Sequence, residues 1–175
     1  VAAGYDLAMP TPAAHAFTVV TPGGPVTIHA PGADAAAAIR GRVEAWLRGA
    51  ADDFADVPTP AGTAFQRACW EACRSIPSGE TRSYAWLAAA AGSPRAVRAA
   101  GQAMRRNPLP IVVPCHRVVG SGGWIGGYAG DAGAAGATVA VKRGLLELEA
   151  RGADVPSRAR RAAANGRART GDPTT

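Results

Sequence analysis

Ile111-Val112-Val113-Pro114-Cys115-His116-Arg117-Val118 is the stretch that decides how this chain is read. Three apolar residues lead into a thiol, a proton carrier and a guanidinium on consecutive positions. Gly120-Ser121-Gly122-Gly123 follows at once. The apolar run predicts a short buried strand, and the glycines predict a flexible loop. A cysteine between the two is both activated and reachable, the combination a nucleophilic thiolate needs. Taken alone, Cys115 serves a protease, a redox sensor or a metal site equally well. His116 alone reads best as a structural hydrogen-bonding group.

The sequence around that stretch is basic. Residues 81–130 hold Arg82, Arg95, Arg98, Arg105, Arg106 and Arg117 and no acid, whereas residues 1–60 carry three Arg against six acids. An acid-free arginine segment that contains a candidate nucleophile is the footprint of a polyanion-binding face. Charge alone favours a plainer reading, arginines that solvate helix faces. Eighteen Arg against one Lys, with abundant Ala, also point to a compositional bias.

Two short helices precede the cysteine. Thr81 or Ser83 starts the first, which runs through Tyr84, Leu87 and Ala91 and ends at Gly92. Ser93 caps the second, with Pro94 at its first position. It runs through Val97, Ala100 and Met104 to Arg106, where Asn107-Pro108 breaks it. The pair has the form of a helix-turn-helix, whose second helix enters a DNA groove. That helix carries Arg95, Arg98, Arg105 and Arg106 and is rich in small residues. Helix pairs of this kind also occur in proteins that never touch DNA.

Further out, Thr63 and Gln66 have capping-box spacing ahead of Phe65, Cys69 and Trp70, and that helix stops near Ile76-Pro77-Ser78-Gly79. Phe17 to Val20 and Val26 to His29 read as strands of a hairpin around Thr21-Pro22-Gly23-Gly24-Pro25. Ala35 to Ala50 reads as a helix with Ile39, Val43, Trp46 and Leu47 on one face and Asp34 as its N-cap. Asp52 to Pro60 reads as an acidic, proline-containing linker. After the glycines, Lys142 to Ala150 reads as a last helix, with Leu145, Leu146 and Leu148 toward a core. Residues 151–175 read as a basic, disordered tail.

The predicted class is α+β. A reduced N-terminal αβ unit (1–58) precedes a mainly helical domain (59–150) with a helix-turn-helix and a short buried strand leading to Cys115; the tail is 151–175. A hydrophobic content of 47% supplies a core, and no stretch has the apolar length of a bilayer span. No leader pattern is visible over Val1 to Pro10, so the expectation is a soluble, intracellular protein. Three cysteines without framework spacing are expected to be reduced. Cys69 and Cys73, at i and i+4, read as core thiols, since no further Cys or His completes a zinc set. His15 and His29 receive no role.

Several separated motifs together resemble the O6-alkylguanine-DNA alkyltransferases, also called methylated-DNA–protein-cysteine methyltransferases. They are Gly62-Thr63-Ala64-Phe65-Gln66, Gly79-Glu80-Thr81-Arg82-Ser83-Tyr84, Arg95-Ala96-Val97-Arg98-Ala99-Ala100-Gly101, Arg106-Asn107-Pro108-Leu109-Pro110, Pro114-Cys115-His116-Arg117-Val118 and Gly127-Tyr128-Ala129-Gly130. The resemblance runs from Gly62 to about Glu149. It implies that Cys115 accepts an alkyl group from a guanine flipped out of the duplex. It implies that His116 takes the thiol proton through a water, with Glu149 as its orienter, and that Asn107 ties the turn that holds the nucleophile. It places Tyr84 at the target phosphate and base, and Arg98 in the gap left in the stack. Arg95, Ala96, Arg105 and Arg106 belong to the same DNA face, and Pro110, Val118, Tyr128, Ala129 and Gly130 line the guanine pocket.

The implied protein needs no metal or cofactor and is consumed in one turnover. Its partner is double-stranded DNA containing O6-alkylguanine. It acts as a monomer away from membranes, in the cytoplasm, and is nucleoid-associated when bound to DNA. Two features depart from the family. The small-residue stretch 131–140 lengthens the loop between Tyr128 and the helix of Glu149, and the N-terminal unit is shorter by a strand. Two competing readings are an alkyltransferase-like binder, in which the nucleophile is replaced, and a transcription factor. The presence of Cys115 argues against the first. The lack of a sensor domain or a metal-binding cysteine cluster argues against the second.

Overall fold

The computed structural model describes residues 15–125 and 138–152. Strands β1 (Ala16–Thr21) and β2 (Gly24–His29) form an antiparallel hairpin, with Thr21 paired to Gly24 across a two-residue turn. Alternation puts Phe17, Val19, Val26 and Ile28 inside and Thr18, Val20 and Thr27 outside. Helix α1 (Ala33–Leu47) covers the inner face with Ile39, Val43 and Trp46. It begins earlier than the sequence reading placed it. Gly32 is the N-cap, and Asp34 lies within the first turn, where its charge meets the positive end of the helix.

The acidic stretch after α1 is tied by an arginine from each flanking helix. The Arg42 guanidinium, from α1, donates to both carboxylate oxygens of Asp52 (2.7 and 2.8 Å) and to both of Asp56 (2.8 Å each). It also lies 5.1 Å from the centre of the Phe54 ring. From the next helix, Arg74 donates to the Val57 and Phe54 carbonyls at 2.7 and 2.5 Å. Phe54 and Val57 are thereby buried against the core.

Helix α2 (Ala64–Arg74) starts on the expected capping box: Gln66 N–H donates to Thr63 Oγ1 at 3.2 Å, and Thr63 N–H donates to Gln66 Oε1 at 2.9 Å. Its buried face is Cys69, Trp70 and Cys73, which are core thiols and indole as read from sequence. Strand β3 (Arg82–Ser83) then leads into α3 (Tyr84–Ala90), whose N-cap Ser83 accepts from Trp86 N–H at 3.1 Å. Gly92, at φ +79°, closes α3: its N–H reaches the Ala89 carbonyl, and the Ser93 N–H reaches that of Ala88. This is a Schellman end, which a residue with a Cβ would strain.

The second helix of the pair starts later than expected. Ser93-Pro94 forms a turn closed by Ala96 N–H on the Ser93 carbonyl, and α4 spans Val97–Arg105 with Ala96 as an N-cap that makes no side-chain bond. Chain reversal after the Schellman end uses up the residues that would have formed the first helical turn. Buried Ala100, Ala103 and Met104 of α4 face α2 and α3, and Trp70 Nε1–H donates to the Ala103 carbonyl at 3.0 Å.

The run expected as a buried strand is a buried turn. Ile111 has φ +76°, Val113 N–H donates to the Leu109 carbonyl at 2.8 Å, and only an isolated bridge joins Pro110 to Val113. Ile111, Val112 and Val113 are core residues all the same. Their apolarity reports burial, and the three residues between Asn107 and Ile111, two of them proline, are too few to run a strand back. A short 3₁₀ turn (Cys115–Arg117) leads to β4 (Val118–Val119), the strand that does form, parallel to β3. Ser121–Gly123 forms a second 3₁₀ turn where a flexible loop was expected.

The last helix, α5, covers 138–152 and lies against the hairpin turn. A Cβ on Gly23 would sit 2.1 Å from the Ala140 carbonyl oxygen, and one on Gly144 would sit 2.9 Å from the Gly23 nitrogen. The hairpin also reaches the helical part at its other end, where His29 N–H donates to the Pro108 carbonyl at 2.8 Å. One hydrophobic cluster runs from Phe17 through Trp70 and Val113 to Leu145.

Candidate active site

Cys115 opens the 3₁₀ turn and is 3% exposed. Its N–H donates to the Val113 carbonyl at 2.8 Å, so the buried turn sets its direction. Asn107 holds that turn from within. Its Nδ2 donates to the Val113 carbonyl (2.8 Å) and to Cys115 Sγ (3.3 Å), while its Oδ1 accepts from Leu109 N–H (3.0 Å). A donor to sulfur favours the thiolate.

His116 is fully buried. Its Nε2 lies 2.8 Å from Glu149 Oε1 of α5. Glu149 thus reaches His116, although most of the 131–140 stretch before it lies outside the described residues. Arg117 Nε donates to both Glu149 oxygens (3.0 and 3.1 Å), its Nη2 donates to Oε1 (2.7 Å), and its Nη1 donates to the Ile76 carbonyl (2.6 Å). Gly79 N–H donates to Glu149 Oε2 at 3.0 Å. Burial pushes the Glu149 carboxyl up, but the bonds from His116 and Arg117 outweigh it and bring it down to about 2. An ionised Glu149 only accepts, so His116 carries its proton on Nε2 and offers Nδ1 as a base. Nδ1 is buried and makes no hydrogen bond among the described residues. Burial holds the imidazole below its ordinary value despite Glu149, which keeps it neutral at pH 7.

Two further side chains close the site. Tyr84 follows directly on β3, whose pairing with β4 sets it beside the turn after Cys115. Burial pushes its phenol up to about 12, so it is a proton donor at neutral pH. Lys142, on α5, is fully buried; its Nζ donates to the Val118 carbonyl at 2.5 Å and lies 5.6 Å from the centre of the Tyr84 ring. Burial pushes its ammonium below the usual lysine range. From α1, the Trp46 ring lies 6.2 Å from that of His116, so the N-terminal unit supplies a wall of the site.

The residues expected at a DNA face divide by exposure. Arg95, Arg98, Arg105 and Arg106 are all exposed on or beside α4, and among the described residues none pairs with an acid. Ala96 is half-buried at the start of the helix. Pro110 and Val118 are buried near Cys115. Tyr128, Ala129 and Gly130 lie outside the described residues, as do most of the 131–140 stretch and the tail from 153. Leu145 is buried, and Leu146 and Leu148 are half-buried.

Sequence reasoning missed Lys142, Trp46 and the clamp made by Arg117. Lys142 did carry a signal: it is the only lysine, and it shares an i, i+3, i+7 stripe with Leu145 and Glu149. Among the described residues, no group of three His, Cys, Asp or Glu side chains could hold a metal ion.

Known proteins resemble this chain in sequence and fold. The family profile described as 6-O-methylguanine DNA methyltransferase, DNA binding domain, matches residues 64–151. A constitutive methylated-DNA–protein-cysteine methyltransferase of Bacillus subtilis is 53% identical over 88 residues, covering 50% of each chain. One from Methanosarcina barkeri is 44% identical over 108 residues, covering 62% of this chain and 64% of its own. The matched stretch thus spans half to under two thirds of the length of these relatives. The crystal structure of the Mycobacterium tuberculosis O6-methylguanine methyltransferase superposes with a TM-score of 0.63 at 35% identity, covering 78% of this chain and 93% of that one. A structure of that organism's OGT in complex with DNA superposes at 0.58 and 32% identity, with the same coverage. Sequence profile and fold agree, and the chain belongs to the 6-O-methylguanine DNA methyltransferase family through its DNA-binding domain.

Proposed function

We propose that this protein repairs O6-alkylguanine in double-stranded DNA by transferring the alkyl group to Cys115, once per molecule. One observation carries the reading: Glu149, held ionised, fixes the His116 proton on Nε2 and leaves Nδ1 as a buried base on the residue next to the thiol. In this reading the Cys115 proton passes to His116 through a water, and the thiolate attacks the alkyl carbon. The S–C bond forms as the C–O6 bond breaks, and the electron pair leaves on guanine O6. The Tyr84 phenol, protonated at pH 7, donates to the departing base. The product is a thioether that nothing in the site can hydrolyse.

The exposed arginines of α4 fit the DNA contact. Arg95, Arg105 and Arg106 meet phosphates, and Arg98 enters the stack where the base was. Ala96 allows close approach to the backbone, and Pro110, Val118, Tyr128, Ala129 and Gly130 form the guanine pocket. Every group the reaction needs belongs to one chain, so a monomer suffices, acting where the DNA is.

The test is a duplex oligonucleotide bearing one O6-methylguanine. Mass spectrometry is expected to find one added methyl group per protein, on the Cys115 peptide, and none on Cys115→Ser. Unmodified Cys115 in protein that still binds the duplex would replace this reading with that of a non-enzymatic damage binder.

A further inference from the structure

Glu149 by itself would spoil the base it orients. A carboxylate 2.8 Å from an imidazole favours the imidazolium, and an imidazolium has no acceptor nitrogen. The groups facing His116 are Glu149 and Lys142 from α5, Arg117 and Cys115 beside it in the chain, and Trp46 from α1, whose indole does not titrate. Among them Arg117 has a distinctive geometry. Its side chain is 12% exposed, and three of its donor contacts go to the one carboxylate that holds His116. Its Nη1 donates to the Ile76 carbonyl in the turn after α2. Gly79 of the same turn completes the carboxylate. The guanidinium thus joins three separate segments at one anion.

Resting on the alkyl-transfer reading, we infer that Arg117 is a positioning residue for the proton transfer: it clamps Glu149 and, together with the burial of the ring, keeps His116 neutral, with its proton on Nε2 and Nδ1 left as the acceptor. Arg117 offsets the negative charge that would otherwise hold a second proton on the ring. It also fixes the carboxylate plane, so that Oε1 stays on Nε2. Lysine in its place supplies the charge without the fork.

The experiment uses the full chain, Arg117→Met and Arg117→Lys. Heteronuclear NMR follows the His116 imidazole through its titration. The rate of Cys115 methylation by the O6-methylguanine duplex is measured over the same pH range. In the parent, the imidazole is expected to titrate below the ordinary histidine value. Arg117→Met is expected to raise that midpoint by about one pH unit, about tenfold in proton affinity, and to move the acidic limb of the rate with it. Arg117→Lys is expected to hold the midpoint near the parent's while lowering the rate at every pH. An unmoved midpoint in Arg117→Met, with rates reduced equally at all pH, would make Arg117 a purely structural tie and overturn the inference. Should Arg117→Met fail to fold, a parent imidazole titrating at or above the ordinary histidine value overturns it equally. A parent that titrates as expected yet accepts no methyl group overturns the alkyl-transfer reading and leaves Arg117's hold on His116 standing.

Discussion

Asn107 shows how much one side chain does here. It satisfies Leu109 N–H and the Val113 carbonyl, both buried, and places a donor on Cys115 Sγ. A helix-ending Asn before Pro is the reading its local sequence supports, and the structure adds the second task without removing the first. Asn107→Ala leaves the buried Leu109 N–H without a partner, at about 1–3 kcal/mol, while the Val113 carbonyl keeps its bond from Cys115 N–H. It is expected to destabilise the fold by about 1–3 kcal/mol in urea unfolding and to slow Cys115 alkylation. Asn107→Asp keeps the acceptor for Leu109 but sets a negative charge against the sulfur. Its alkylation rate is expected to fall further than that of Asn107→Ala at neutral pH and to recover as pH rises. A rate in Asn107→Asp equal to the parent's would show that the contact to Sγ has no electrostatic part.

Among the elements, α5 delivers Glu149 and Lys142 together, and the hairpin turn sets where it lies. Gly23 touches the helix backbone so closely that a Cβ would be 2.1 Å from the Ala140 carbonyl oxygen, an atom that cannot swing away. Gly23→Ala is expected to push α5 off the turn, costing about 2–4 kcal/mol in thermal or urea unfolding and lowering the alkylation rate. Ala in place of Gly92, where there is open space around the Cβ, costs only about 1 kcal/mol through its positive φ and leaves the rate near the parent's. Equal effects at the two glycines would mean that the hairpin does not position the site. The elements themselves were legible wherever local chemistry decides them: the Thr63 capping box, the Ser83 cap and the Gly92 stop all lie where the sequence put them. Ile111 to Val113 misled because apolarity reports burial and not backbone shape; Asn107 side-chain bonds turn the chain there. Ser93-Pro94 carries helix-start signals that the tight reversal after α3 overrides. Lys142 was passed over because a lysine in a helix is ordinarily solvated, and only the packing of α5 on β4 and Tyr84 buries it. Arg117 was legible as a charge but not as a clamp, since its partners are 32 and 41 residues away.

For the molecule as a whole, these buried pairs make stability depend on acid. His116 titrates lower when folded than its ordinary 6.5, so it counts as a depressed group. As pH falls below 6.5 the unfolded chain takes a proton that the buried ring refuses, and the folded state loses ground. Glu149 is depressed from 4.5 to about 2. Its contribution is present above 4.5 and lost as pH falls toward 2, on the order of 3 kcal/mol. Asp52, lowered from 3.8 by its bonds to Arg42, adds to the loss in that same acid range. Urea unfolding at stepped pH is therefore expected to show nearly constant stability just above 6.5, a first decline below it and a steeper one below 4.5. In Glu149→Gln the protein is weaker throughout, because Arg117 loses the anion that holds it. The steeper decline should then be reduced to the share that Asp52 and its neighbours supply. Parallel pH curves for parent and Glu149→Gln would place the acid sensitivity elsewhere than at His116, Arg117 and Glu149. The Arg42 cluster on the N-terminal side would then be its source, testable by Asp52→Asn.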